Sequence, residues 1–193
     1  MGKTLVLYYS KHGTTKQYAE WIASELNGDI CRLRDVRQDT LGNYDVIVIG
    51  SGLYAGSIKG LDIIRRNHDK LKGRKLAIFT CGLSDFSKAA NVKVIAARID
   101  AAIPENIRGD TKTFFLRGGI NYERLNFIDR ILMAFMKMEC LREVKKEGDN
   151  ASDDTKLFLA TYGKIVDFTD RNSIMEIVEY CNGNTQKPEL QED

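Results

Sequence analysis

Two short, unbroken apolar runs constrain this fold more than any other feature of the sequence. Asp45-Val46-Ile47-Val48-Ile49 ends at Gly50, and the stretch from Lys75 to Cys81 is built in the same way. A strand with one wet face alternates apolar and polar residues. A continuous run is what a parallel sheet needs when helices cover both of its faces. Around these runs the chain alternates strand and helix. Thr4 to Tyr9 is β-prone, and residues 14–26 place Tyr18, Ala19, Ile22, Ala23 and Leu26 at helical spacing. A weak, charged edge strand follows over 30–33. Helices are predicted over 58–71, stopped by Gly73, and over 88–102, ended by Pro104, with a fifth strand over 111–116. The rhythm predicts an α/β domain: an open parallel sheet with helices on both faces and right-handed crossovers.

After the fifth strand the rhythm breaks. Gly118-Gly119 opens an insert over about 118–150, in which Leu125, Ile128, Leu132, Phe135 and Met136 predict a helix with a wide apolar stripe. Lys145 to Asp154 reads as a charged loop. Ser152 or Asp153 then caps a short helix reaching Tyr162 and stopped by Gly163. Thr169 or Asp170 caps a last helix ending near Cys181-Asn182-Gly183. Residues 1–182 therefore read as one domain, with a flexible tail over 183–193.

The chain of 193 residues is long enough for one real core. Its charged residues, 29% with a net charge of +2, are interspersed in sign, which excludes a basic nucleic-acid arm and an acidic disordered tail. Cys31, Cys81, Cys140 and Cys181 are far apart, with only His12 and His68 to supplement them, so a compact zinc site is not expected. No leader pattern opens the sequence and no apolar stretch is long enough to span a bilayer, so reduced thiols and a cytoplasmic location are the expectation.

The strongest local signal is the turn after the first strand: Ser10-Lys11-His12-Gly13-Thr14-Thr15-Lys16, leading directly into a helix. Backbone N–H groups at a helix N-terminus are unpaired and point outward, the helix dipole adds positive potential, and hydroxyls add donors without bulk. Such a turn suits a phosphate monoester at the carboxyl end of the first strand. The plainer alternative is that Ser10 and Thr14 only cap the helix.

This segment resembles the FMN phosphate loop of flavodoxins, a Thr/Ser-x-Thr-Gly-x-Thr pattern. Ser10, Gly13 and Thr15 match; His12 stands where the family usually has Thr, and Lys11 either adds charge or, as favoured here, points to solvent. The resemblance implies strand order 2-1-3-4-5, noncovalent FMN and electron transfer through it. It also implies that Ser51, Gly52, Leu53, Tyr54, Ala55 and Gly56, after the third strand, wrap the isoalloxazine, with Tyr54 stacking on it. After the fourth strand, Cys81, Gly82 and Leu83 would meet its far side. Asp85 either sits near the pyrimidine or, as favoured, caps the next helix, and Cys81 reads as a small buried packing residue.

Two decoys fail. Gly50-Ser51-Gly52-Leu53-Tyr54-Ala55 fits a dinucleotide fingerprint but follows the wrong strand and lacks the later acidic residue. Gly2-Lys3-Thr4 has no glycine loop before it.

The insert, with Arg117-Gly118-Gly119-Ile120-Asn121-Tyr122, Asp129-Arg130 and Met136-Lys137-Met138, is similar to that of the menaquinone-dependent protoporphyrinogen oxidase family, although Ile128 replaces the aromatic before Asp129. That likeness implies a quinone-dependent oxidase as the alternative function. The partners expected are a redox protein or a small electron donor or acceptor such as a quinone, and no nucleic acid. The insert helix with its flanking Arg117, Arg124, Arg130, Lys137, Arg142, Lys145 and Lys146 suggests peripheral membrane contact. Alternatively, Leu125, Phe127, Ile131 and Phe135 close the sheet edge as core, and the nearby acids cancel the basic residues.

Overall fold

The structure, a computed structural model, describes residues 2–53 and 58–183, except for the side chain of Ala90. Strands β1 (Thr4–Tyr9), β2 (Asp29–Arg32), β3 (Val46–Gly52), β4 (Lys75–Gly82) and β5 (Thr111–Arg117) form one parallel sheet in the order β2-β1-β3-β4-β5. Its two faces carry separate cores. On one, Val6, Val48, Ala77, Phe79 and Phe114 pack under α1 (Thr14–Leu26) and α8 (Met175–Asn182). On the other, Leu5, Leu7, Ile47, Ile49, Leu76 and Ile78 pack under α2 (Leu61–Arg66), α3 (His68–Leu71) and α4 (Ala89–Ala102). Both faces are covered, which is why the central strands contain no alternation.

Tyr18 ties the layers together. Its ring meets Phe79 edge-on at 6.4 Å, and its hydroxyl donates to the Arg117 carbonyl (2.8 Å) and accepts from the Asp170 amide (3.0 Å). Phe79 in turn lies against Gly50, where a Cβ would come within 2.1 Å of the ring.

Beyond β5 the chain builds a second layer over the carboxyl edge of the sheet. Strand β6 (Gly119–Asn121) pairs antiparallel with β7 (Ile165–Asp167), and between them run α6 (Phe127–Glu147) and α7 (Asp153–Thr161). The close pairing requires Gly119, since a Cβ there would sit 2.4 Å from the Val166 carbonyl oxygen.

Several expectations need correction. The helix expected over 58–71 divides at Asn67, whose side-chain amide donates to the Ile63 carbonyl and to Gln38 Oε1. The helix over 88–102 does end at Ala102, ahead of Pro104 as expected, and a separate short helix not anticipated, α5 (Glu105–Arg108), follows the proline. Lys145 to Glu147 are helix, not loop: they are good helix formers, and the two lysines complement the dipole at the end of α6. Ser152 is the cap of α7, accepting from the Thr155 amide at 3.2 Å, and Asp170 caps a 3-10 turn ahead of α8. Asp85 binds the Ser87 amide and hydroxyl, closing the turn before α4 rather than capping the helix itself. The apolar stripe of α6 is not core: Phe127, Ile131 and Phe135 are exposed, and of the four residues named only Leu125 is buried.

Candidate functional site

A cleft of about 480 Å³ opens where the carboxyl ends of the central strands meet the added layer. This is the crevice in which open α/β sheets bind ligands. One wall holds Lys11, His12, Thr14 and Thr15 from the turn after β1, Gly52 and Leu53 after β3, and Cys81, Gly82 and Leu83 after β4. These nine residues were singled out from sequence, and the fold brings them together from three loops. The Leu53 amide donates to the Cys81 carbonyl (2.8 Å), and the Gly118 amide to that of Gly82 (2.7 Å), so the loop bases are fixed to one another.

Ser10 and Ser51 do not line the cleft. Ser10 Oγ accepts from the Gly13 amide at 3.0 Å, which shapes the turn. Ser51 is buried; its Oγ accepts from the Lys59 amide (3.0 Å) and donates to the Gly52 carbonyl (3.1 Å). Gly13 has φ +101 with open space around it, so a glycine is needed there for its backbone angle and not for room. Tyr54, Ala55 and Gly56 lie outside the described residues.

The turn has the electrostatics of an anion site. No side chain caps α1, and its first turn holds no acidic residue, so its orphan amides and dipole face the cleft. His12 adds no full charge near neutral pH. Burial pushes its pKa down; Asp129 opposes that shift and Lys11 adds to it. Lys11 does not point to solvent as expected: its ammonium pairs with the carboxylate of Asp129, a buried residue in the first turn of α6. Burial also pushes the Cys81 thiol up to about 12, against a hydrogen bond from Thr15 that lowers it. Cys81 is therefore a packing residue.

The opposite wall comes from the layer added after β5: Ile120, Leu125, Leu132, Met133, Met136 and Phe158, with Cys140 and Phe168 beside them. Sequence reasoning placed an apolar helix here but missed the pairing of Asp129 with Lys11 and the presence of Cys140 and Phe158 in the cleft lining. The run Asn126-x-x-Asp129 was the available signal, since Asn126 Oδ1 accepts from the Asp129 amide (2.8 Å) and fixes the carboxylate at the helix start. Arg117 stacks on Phe168, its guanidinium 4.1 Å from the ring centre.

A family profile described as the flavodoxin domain matches residues 5–149. The chain belongs to the flavodoxin-domain family. Among relatives, it is 42% identical over 74 residues to an uncharacterized protein of Methanocaldococcus jannaschii, a match spanning 35% of this chain and about half (49%) of that protein. It is 31% identical over 99 residues to a flavodoxin of Maridesulfovibrio salexigens, spanning 45% of this chain and 68% of the flavodoxin. A protoporphyrinogen IX dehydrogenase [quinone] of Leishmania major is 22% identical over 142 residues, spanning 69% of this chain and 62% of that enzyme. The family match ends at residue 149, so it takes in the flavodoxin sheet and α6 but neither α7 nor β7. Among the described residues no cluster of His, Cys, Asp or Glu could hold a metal ion, and no helix is long and apolar enough to cross a membrane.

Proposed function

We propose that this flavodoxin-domain protein binds FMN noncovalently and transfers electrons through it. The observation that carries the reading is the uncapped N-terminus of α1, which opens through a Gly13-centred, hydroxyl-bearing turn into the cleft. The amides of that turn, with the hydroxyls of Thr14 and Thr15, would hold the phosphate. Gly52, Leu53, Gly82 and Leu83 would border the ring, and the sequence offers Tyr54 as its aromatic partner. When bound, FMN supplies the redox chemistry. The protein's own residues bind the phosphate, orient the ring and, through the apolar wall of α6 and α7, keep water from one side of the cleft.

Flavin titration under reducing conditions tests this. FMN should bind much more tightly than riboflavin, because riboflavin lacks the phosphate. Gly13→Val, which forces a branched side chain into positive φ, should weaken FMN binding. A protein that takes up neither flavin would end the proposal.

A second reading, quinone-dependent oxidation of protoporphyrinogen, is favoured by one observation. The wall built by Leu132, Met133, Met136 and Phe158 gives the cleft an apolar side on which an apolar second substrate could lie. Protoporphyrin formation by the FMN-loaded protein with menadione would support it; absence of product with lipid supplied and oxygen excluded would reject it.

A further inference from the structure

The outer face of α6 has no partner within the described chain. Phe127, Ile128, Ile131, Phe135, Met138 and Leu141 are each at least half exposed. This is no ordinary amphipathic surface helix, because its other side is apolar too: Leu132, Met133, Met136 and Cys140 line the cleft. A helix apolar on two sides requires a cover on each. The last ten residues of the chain, 184–193, carry one large apolar side chain, Leu190, and are too polar to supply it.

The charge pattern indicates what the cover is. Phe127, Ile131, Phe135, Met138, Arg142 and Lys145 follow one another at helical spacing, so the apolar stripe runs straight into two cations, with Lys146 beside them. The acids of α6 are engaged or turned inward. Asp129 is buried against Lys11, Glu143 binds the Ser152 amide and the Thr155 hydroxyl, and Glu139 pairs with Arg142. Glu147 falls on the Asp129 side of the helix. Arg124 and Arg130 fringe the other end of the stripe. A second copy packed antiparallel on this face would set cations of one helix end against those of the other, which is unfavourable. An anionic surface with an apolar interior meets both requirements.

We propose that the outer face of α6 docks on an anionic lipid bilayer, with Phe127, Ile131, Phe135 and Met138 entering the headgroup boundary and Lys145 and Lys146 at the phosphates. Leu132 and Met136 line the cleft and are also partly exposed. Docking therefore brings the rim of the cleft formed by Leu132 and Met136 near the lipid surface, where a water-insoluble redox substrate is concentrated. The docking itself does not depend on the FMN reading.

The test is co-sedimentation of the full chain with vesicles. Mixed phosphatidylglycerol and phosphatidylcholine vesicles should carry the protein down at low salt, and pure phosphatidylcholine vesicles should not. Lys145→Gln with Lys146→Gln should weaken the binding about tenfold or more. Ile131→Asp with Phe135→Asp should abolish it while leaving circular dichroism and melting unchanged, since both side chains are exposed. Phe135→Trp should be quenched by brominated lipid in the anionic vesicles. Failure to sediment with anionic vesicles, or equal binding by the Asp variant, would overturn the proposal. So would a concentration-dependent dimer dissociated by Phe135→Asp, which would assign the face to a second copy. Vesicle binding by a protein that takes up no flavin would leave docking intact and refute the FMN reading alone.

Discussion

The Lys11 ammonium, in the turn that faces the cleft, is paired with the Asp129 carboxylate at the start of α6, 118 residues further along the chain. Lys11 therefore neutralises the helix as much as it serves an anion. Lys11→Met would leave a carboxylate beside the phosphate turn with no counter-charge, so FMN binding should weaken about three- to tenfold. Asp129→Asn removes the negative charge beside the turn and should strengthen binding by a similar factor. Riboflavin affinity should change little in either variant, and the double variant should return near the starting value if the two charges act on the phosphate as a pair. Fluorescence titration of both flavins checks all four proteins. Lys11 is a third exposed, so the pair itself should contribute at most about 1 kcal/mol to stability.

Among the described glycines, Gly50 leaves the least room for a side chain, because the Phe79 ring lies against it. A methyl group on Gly50 would fall within 2.1 Å of Phe79 Cζ, and the ring cannot retreat because Tyr18 lies against it. Gly50→Ala should cost about 2 kcal/mol or more through overpacking. Phe79→Leu should be destabilising alone yet should recover part of the Gly50→Ala loss, a coupling that thermal or urea melts of the four proteins would read directly.

The parallel sheet was legible because its signals are local. Val46 to Ile49 and Leu76 to Cys81 announce doubly covered strands, and Gly73, Gly163 and Gly183 stop their elements with positive φ. The turn after β1, as a part of the cleft lining, was legible for the same reason: it is a contiguous run entering a helix. The added layer was not. β6 and β7 are three-residue strands that pair across more than forty residues, and so short a strand has no readable period. The outward placement of Phe127, Ile131 and Phe135 was equally hidden, because an apolar stripe records a need for cover and not what the cover is. Lys11 was assigned to solvent because nothing near it in sequence shows that α6 brings Asp129 to it.

The four thiols should divide by position. Burial pushes Cys81 and Cys181 up to about 12, so both stay protonated and shielded at neutral pH. Cys31 and Cys140 are partly exposed. Alkylation of the folded protein, located by mass spectrometry, should label Cys31 and Cys140 and reach Cys81 and Cys181 only on unfolding. Cys140 lines the cleft, whereas Cys31 lies on the edge strand β2. Saturating FMN should therefore slow labelling of Cys140 and leave Cys31 unaffected. Equal protection of both would indicate a global change in stability instead of occupancy of the cleft.

Glu143 makes the junction of α6 and α7 sensitive to acid. One carboxylate oxygen accepts from the Ser152 amide at 2.8 Å and the other from the Thr155 hydroxyl at 2.7 Å, so the side chain spans the N-terminus of α7. The Thr155 hydroxyl, followed by the Ser152 amide, holds its pKa below the ordinary value of 4.5. A carboxylate whose pKa is lowered by folding contributes stability that is fully present above its unfolded pKa, and that stability is lost as pH falls through the folded value. The contact should therefore persist unchanged from neutral pH down to about 4.5 and weaken only in more acidic solution. Hydrogen exchange at the Ser152 amide should follow that course. Glu143→Gln keeps an oxygen acceptor but carries no charge, so it should exchange faster at neutral pH and lose the acid dependence. Ser152→Ala, which removes the neighbouring cap on Thr155, should cost about 1 kcal/mol at neutral pH and reduce without abolishing the acid dependence of Glu143, because the Ser152 hydroxyl contributes to its lowered pKa after the Thr155 hydroxyl and the Ser152 amide.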